Sequence, residues 1–174
     1  MKLAQGFYVR SVGRGVVPSL RVPCDLTTSR TTGKTIGVLL RDYGYVDAEG
    51  VEHWSLKGMP FDGLSIPRVL WRVAGHPWGK YLRAAIPHDE HCYLAGSLAP
   101  GEERNLVRAR GDALFAEACL WIDPGSPRVA WAFGAAVRMG ARWSRNAEPE
   151  PYYRVDLEAA YAALGIEHML RRAA

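Results

Sequence analysis

Two polar groups lie on the predicted apolar faces of two helices. His88, which precedes Asp89, falls in a predicted helix from about Gly79 to Ala95, and Asp112 falls in one from about 101 to 121. Helical spacing places His88 with Tyr81, Ala84, Ala85, Cys92 and Ala95, and Asp112 with Ala109, Phe115, Ala116 and Cys119. Because a buried carboxylate needs a partner, we predict a hydrogen bond between the side chains of His88 and Asp112. Such a bond would fix the imidazole tautomer and support its protonated form, as catalysis by a histidine base requires.

A second pair of carboxylates could bind a cation. Asp62 begins an Asp62-Gly63-Leu64 turn, which can expose backbone carbonyls, and Asp89 is the neighbour of His88. Hard cations such as calcium bind carboxylate and carbonyl oxygens, so Asp62 and Asp89 are predicted to share one divalent metal ion. The alternative is that Asp62 only caps the short helix that Ser65 and Pro67 are expected to open.

A rival set of ligands would favour zinc over calcium. His91 and Cys92 are the alternative metal ligands, and the i, i+4 spacing of His88 and Cys92 suits zinc, with Asp89 or Asp112 completing the shell.

Two purely structural roles are alternatives to these sites. Cys92 could be a small buried residue at a tight helix contact, and the His–Asp pair could only join two helices.

The pattern of residues predicts an α+β fold: a small N-terminal antiparallel β-sheet followed by a four- to five-helix bundle. Residues 1–174 are expected to form a single domain, with a β-rich part over 1–60 and a helical part over 65–172 that carries the site. Residues 23–33 are predicted to be an exposed loop, and Asp47 to Gly50 a hairpin turn. A last amphipathic helix is predicted from Asp156 to Arg172. Four tryptophans are expected in the core and Trp78 at the surface; the four are Trp54, Trp71, Trp131 and Trp143.

The charge, apolar runs and cysteine content of the chain argue against several classes of protein. The 174 residues carry a net charge of +4 without any block of basic residues, so no nucleic-acid partner is expected. No apolar run is long enough for a transmembrane segment, and the N-terminus lacks the pattern of a signal peptide. Three cysteines without metal-type pairing favour a reduced chain. We expect the protein in the host bacterial cytoplasm or in a phage particle.

Four motifs in order carry a first resemblance, which covers nearly the whole chain. They are D-G-x-S-I-P-R at 62–68, A-A-I-x-H-D at 84–89, D-x-x-F at 112–115 and A-V-R-x-G at 136–140. This order resembles a family of small phage and prophage proteins of formally unassigned function. The resemblance implies a phage or prophage origin and no established activity.

A second, local resemblance is to phospholipases of the A2 class. An Asp-Gly turn, an H-D-x-x-Y helix and a later D-x-x-F helix are similar to that family, although Cys92 stands four residues after the histidine and Tyr93 follows it. The resemblance implies that His88 is the general base, Asp112 its orienting group, and Asp62 and Asp89 the calcium carboxylates. Possible additional site residues are His91, Cys92, Tyr93, Ser65 and Arg68.

These observations lead to two functional hypotheses of different classes. The first is a phage-encoded, metal-assisted hydrolase, in which water activated by His88 attacks a phospholipid ester or a peptidoglycan bond of the envelope. The second is a non-enzymatic protein: a virion or tail-assembly component that binds other phage virion proteins, or a small inhibitor of a host system. In the second, the His-Asp cluster only stabilises the fold.

Overall fold

A computed structural model describes residues 3–11, 15–28, 35–61, 63, 76 and 78–143. Seven strands and three helices lie in these ranges. The strands are β1 (Gly6–Ser11), β2 (Gly15–Pro18), β3 (Cys24–Thr28), β4 (Thr35–Leu39), β5 (Tyr43–Val46), β6 (Glu52–Ser55) and β7 (Pro60–Phe61). The helices are α1 (Leu82–Ser97), α2 (Glu102–Ile122) and α3 (Pro127–Trp143).

The strands form two antiparallel sheets. One sheet has the order β2-β1-β5-β6 and the other the order β3-β4-β7. The predicted turn from Asp47 to Gly50 joins β5 to β6; Gly50 has a φ of 78° and donates its N–H to the carbonyl of Asp47. This hairpin matters for the site because β6 packs against α1.

The α+β class with N-terminal antiparallel sheets is confirmed, but several finer predictions are wrong. The described residues contain three helices rather than four to five; the helices predicted at Ser65 and at 156–172 lie outside them. The loop predicted at 23–33 contains β3, because Cys24–Thr28 finds a partner in β4 that local composition does not reveal.

Helices α1 and α2 are neighbours, as the predicted bond between His88 and Asp112 requires, and α3 packs against α2. Pro87 lies within α1, so one continuous helix carries both His88 and Asp89, as predicted. Gly111 brings α1 and α2 close together, since a Cβ at this position would lie 2.6 Å from the Cβ of His91. No helix within the described ranges is both long and apolar enough to cross a bilayer.

Aromatic rings link the sheet to the helices in the core. The Phe7 ring lies 4.8 Å from that of Tyr45 and 5.5 Å from that of Trp121 on α2. The prediction that Trp131 lies in the core is wrong, because this residue is 72 % exposed. Trp78, expected at the surface, is partly buried and packs against the core. Trp71 and the side chain of Trp143 lie outside the described residues.

Candidate functional site

His88 is held between two carboxylates. Its Nε2 atom lies 3.2 Å from Oδ1 of Asp112 on α2, and its Nδ1 atom lies 3.2 Å from Oδ1 of Asp89 on its own helix. The bond to Asp112 that the helix faces predict is therefore present. The contact with Asp89 was not anticipated, because neighbouring side chains on a helix point about 100° apart.

The surroundings of His88 are largely apolar. Its ring centroid lies 5.4 Å from that of Phe115, and Ala84, Ala85 and Ala95 on its helix face are buried as predicted. The His88 side chain is 17 % exposed and that of Asp112 is 7 % exposed. A low-dielectric setting strengthens the attraction between an imidazolium and the two carboxylates.

This environment raises the pKa of His88. Burial alone would lower that pKa, but the hydrogen bonds to Asp112 and Asp89 outweigh burial and hold it well above the ordinary value of 6.5. The protonated imidazole is therefore the resting form near neutral pH. When protonated, the imidazole offsets part of the negative charge of Asp89 and Asp112.

The other predicted site residues do not all lie close to His88. Cys92 is close to the cluster, with Sγ 3.6 Å from Nε2 of His88, whereas the Tyr93 side chain is on an exposed part of α1. Residues Asp62, Ser65 and Arg68 lie outside the described residues, so the predicted pairing of Asp62 with Asp89 stays a prediction. Over the described ranges, no group of three or more His, Cys, Asp or Glu side chains is placed to hold a metal ion.

His91 belongs to a second cluster that sequence analysis missed. Its ring faces that of His53 on β6, with centroids 5.6 Å apart, and Nδ1 lies 2.7 Å from the carbonyl oxygen of Pro87. His53 in turn is bonded to Asp47, with Nε2 2.9 Å from Oδ2. The sequence does place Asp47 at the turn and His53 in the strand that follows, which could have indicated their bond. No local pattern, however, shows that this hairpin packs against α1.

Two pKa values in this second cluster are shifted downwards. Burial lowers the pKa of His91, and the neighbouring side chains of His53, Arg110 and His88 lower it further, whereas the hydrogen bond to the Pro87 carbonyl opposes this shift. Burial would raise the pKa of Asp47, but the hydrogen bonds from His53 and two backbone N–H groups outweigh it and lower that pKa.

Glu117 ties α2 to the sheet beside these clusters. Its Oε1 accepts hydrogen bonds from the Tyr45 hydroxyl at 2.8 Å, from the Ala48 N–H at 2.9 Å and from Gln5 Nε2 at 3.0 Å. These contacts fix α2 against the β5–β6 hairpin. The helix that carries Asp112 and the hairpin that carries His53 are thereby held in one arrangement.

Residues 38–137, more than half of the chain, match the family described as "Protein of unknown function (DUF1353)". The chain belongs to this family. The DUF1353 match includes both polar clusters described above. It assigns no activity to them.

Two relatives from Sinorhizobium fredii (strain NBRC 101917 / NGR234) are similar to parts of this DUF1353 protein. "Uncharacterized protein y4iH" is 45 % identical over 56 residues, which are 32 % of this chain and 23 % of the relative. "Uncharacterized protein y4jT" is 34 % identical over 77 residues, 42 % of this chain and 23 % of the relative. The matches thus span about a quarter of each relative's length. No solved structure shows a significant match to the chain.

Proposed function

We propose that this protein is a metal-assisted hydrolase of an envelope component, a phospholipid ester or peptidoglycan, and that it is encoded by a phage or prophage. The observation that carries the proposal is the 3.2 Å contact between Nε2 of His88 and Oδ1 of the buried Asp112. A histidine oriented by a buried carboxylate is the arrangement that activates water in many hydrolases. The resemblance to phage and prophage proteins supports the proposed origin, and the local resemblance to phospholipases of the A2 class supports a phospholipid substrate.

Water activation would use the Nδ1 atom of His88. Nε2 faces Asp112, so the proton of an attacking water must go to Nδ1, which now lies 3.2 Å from Asp89. The Asp89 side chain must therefore turn away before Nδ1 can accept that proton. Asp112 would then stabilise the imidazolium, and Nδ1–H would donate the proton to the leaving group.

A divalent cation is the second part of the proposal. Asp89 has the oxygen chemistry that a hard cation requires, and Asp62 is its predicted partner. When bound, such a cation would supply electrostatic stabilisation of the oxyanion. Calcium is favoured over zinc because both proposed ligands are carboxylates.

A structural role for the same cluster is the second candidate. Both ring nitrogens of His88 already contact protein carboxylates, which is the arrangement of a histidine that joins two helices. In that case the protein would act as a virion or tail-assembly component or as an inhibitor of a host system, with other phage virion proteins as partners in the assembly role.

Activity assays on defined substrates test the proposal. Purified protein should release fatty acid from phospholipid vesicles or fragments from peptidoglycan when calcium is supplied. The rate should rise with pH, because His88 becomes a base only after it loses the proton that its raised pKa retains. A protein inactive on ester, amide and phosphodiester substrates with calcium, zinc and magnesium present would favour the structural role.

A further inference from the structure

The neighbouring rings of His53 and His91 form a polar cluster separate from the bond between His88 and Asp112. His53 is on β6 and His91 is on α1, yet their ring centroids are only 5.6 Å apart, with 53° between the ring planes. The His53 side chain is 8 % exposed and that of its partner Asp47 is 7 % exposed. The proposed hydrolytic mechanism uses none of these three residues.

Hydrogen bonding determines which nitrogen of each ring is available. The Pro87 carbonyl and the Asp47 carboxylate are acceptors, so Nδ1 of His91 and Nε2 of His53 must be the donors. In neutral rings the lone pairs are then on Nε2 of His91 and Nδ1 of His53. Metal-binding histidines have this same arrangement: one ring N–H donates to a carboxylate or a backbone carbonyl, and the other nitrogen binds the metal.

We propose that His53 and His91 together bind one divalent transition-metal ion of the zinc class. With metal–nitrogen bonds of about 2.0 to 2.1 Å and tetrahedral geometry, two imidazoles on one ion have centroids roughly 5 Å apart. The observed centroid separation of 5.6 Å is close to that value. Water molecules occupy the other coordination positions, so the site is open and binds less tightly than a four-ligand structural zinc site.

The packing around His53 and His91 fixes the orientation of both rings in the absence of a metal ion. The Asp47 carboxylate also accepts the N–H groups of Glu49 and Val51, which fixes it within the hairpin turn. On the other side, the Cβ of His91 packs against Gly111 of α2. The two rings are therefore oriented by groups that do not themselves need the metal.

Cobalt titration of tag-free protein tests this site without any assay of hydrolysis. The wild type should bind one Co²⁺, giving visible absorption bands without thiolate-to-cobalt charge transfer, and Zn²⁺ should displace it. His53→Gln keeps an N–H for Asp47, and His91→Asn keeps one for Pro87, so both variants should fold. Each should weaken cobalt binding at least about tenfold.

The exposed His76 supplies the matched control, and His76→Gln should bind cobalt as the wild type does. Three results would overturn the proposal: no binding of Co²⁺ or Zn²⁺ by the wild type, unchanged affinity in both histidine variants, or a charge-transfer band that disappears in Cys92→Ser. The last would assign the metal to His88 and Cys92 instead. None of these results depends on whether the protein hydrolyses a substrate.

Discussion

Nε2 of His88 and Oδ1 of Asp112 lie 3.2 Å apart across the interface between α1 and α2. Each residue is on the inward face of its helix, and the two side chains are only 17 % and 7 % exposed, so a lost partner leaves a largely buried polar group. The contact therefore affects both stability and any proton transfer at Nδ1 of His88. These two effects can be separated by substitution.

Asp112→Ala should reduce the free energy of unfolding by on the order of 3 kcal/mol, because it leaves a buried imidazolium without one of its carboxylates. Urea denaturation of the two proteins measures this difference. Asp25→Ala, which removes an exposed carboxylate on β3, is the control and should change stability by less than about 0.5 kcal/mol. Equal effects of the two substitutions would show that the bond to Asp112 contributes nothing.

Stability should fall on the alkaline side because of His88. Its pKa is raised in the folded protein, so its stabilising contribution is fully present below the unfolded-state value of about 6.5 and is lost as pH rises through the folded value. The difference in unfolding free energy between the wild type and His88→Gln should shrink as the pH rises from about 6.5 through the folded value. A difference independent of pH over this range would mean that His88 is neutral in the fold.

The sequence predicts the His88–Asp112 bond because two polar residues on apolar helix faces each need a buried partner. The 3.6-residue period also predicts the burial of Ala84, Ala85 and Phe115. Both inferences use information within one helix or between two adjacent ones. That is why they could be made without coordinates.

Non-local pairing explains what the sequence did not reveal. The strand β3 forms only because β4 lies beside it, and His53 meets His91 only because β6 packs on α1. The exposure of Trp131 likewise depends on which face of α3 contacts α2. No local pattern specifies these relationships.

Gly111→Ala should destabilise the protein although alanine favours helices by up to about 1 kcal/mol over glycine. The new Cβ would lie 2.6 Å from the Cβ of His91, which is close to the backbone and cannot move without shifting α1. Overpacking of this kind costs about 1 to 3 kcal/mol, so the melting temperature should fall. A melting temperature at or above that of the wild type would contradict the close helix contact.

Calcium binding should require both Asp62 and Asp89. Calorimetric titration of chelator-treated protein with calcium should give one site, and Asp62→Asn or Asp89→Asn should abolish the heat, because each removes a charged oxygen ligand. Asp25→Asn changes the net charge equally at an exposed position and should leave binding intact. Absence of heat and of any shift in melting temperature with calcium and magnesium would exclude a hard cation from the proposed hydrolase.

The most direct test of the role of His88 as a general base compares the hydrolytic rates of the wild type and His88→Gln under conditions in which both proteins are fully folded. The glutamine amide can occupy the position of Nε2 and donate to Asp112, but it cannot accept a proton from water near neutral pH. The variant should melt within a few degrees of the wild type. We predict that it loses nearly all hydrolysis of phospholipid or peptidoglycan with calcium supplied. Full activity in a folded His88→Gln protein would contradict the role of His88 as the base.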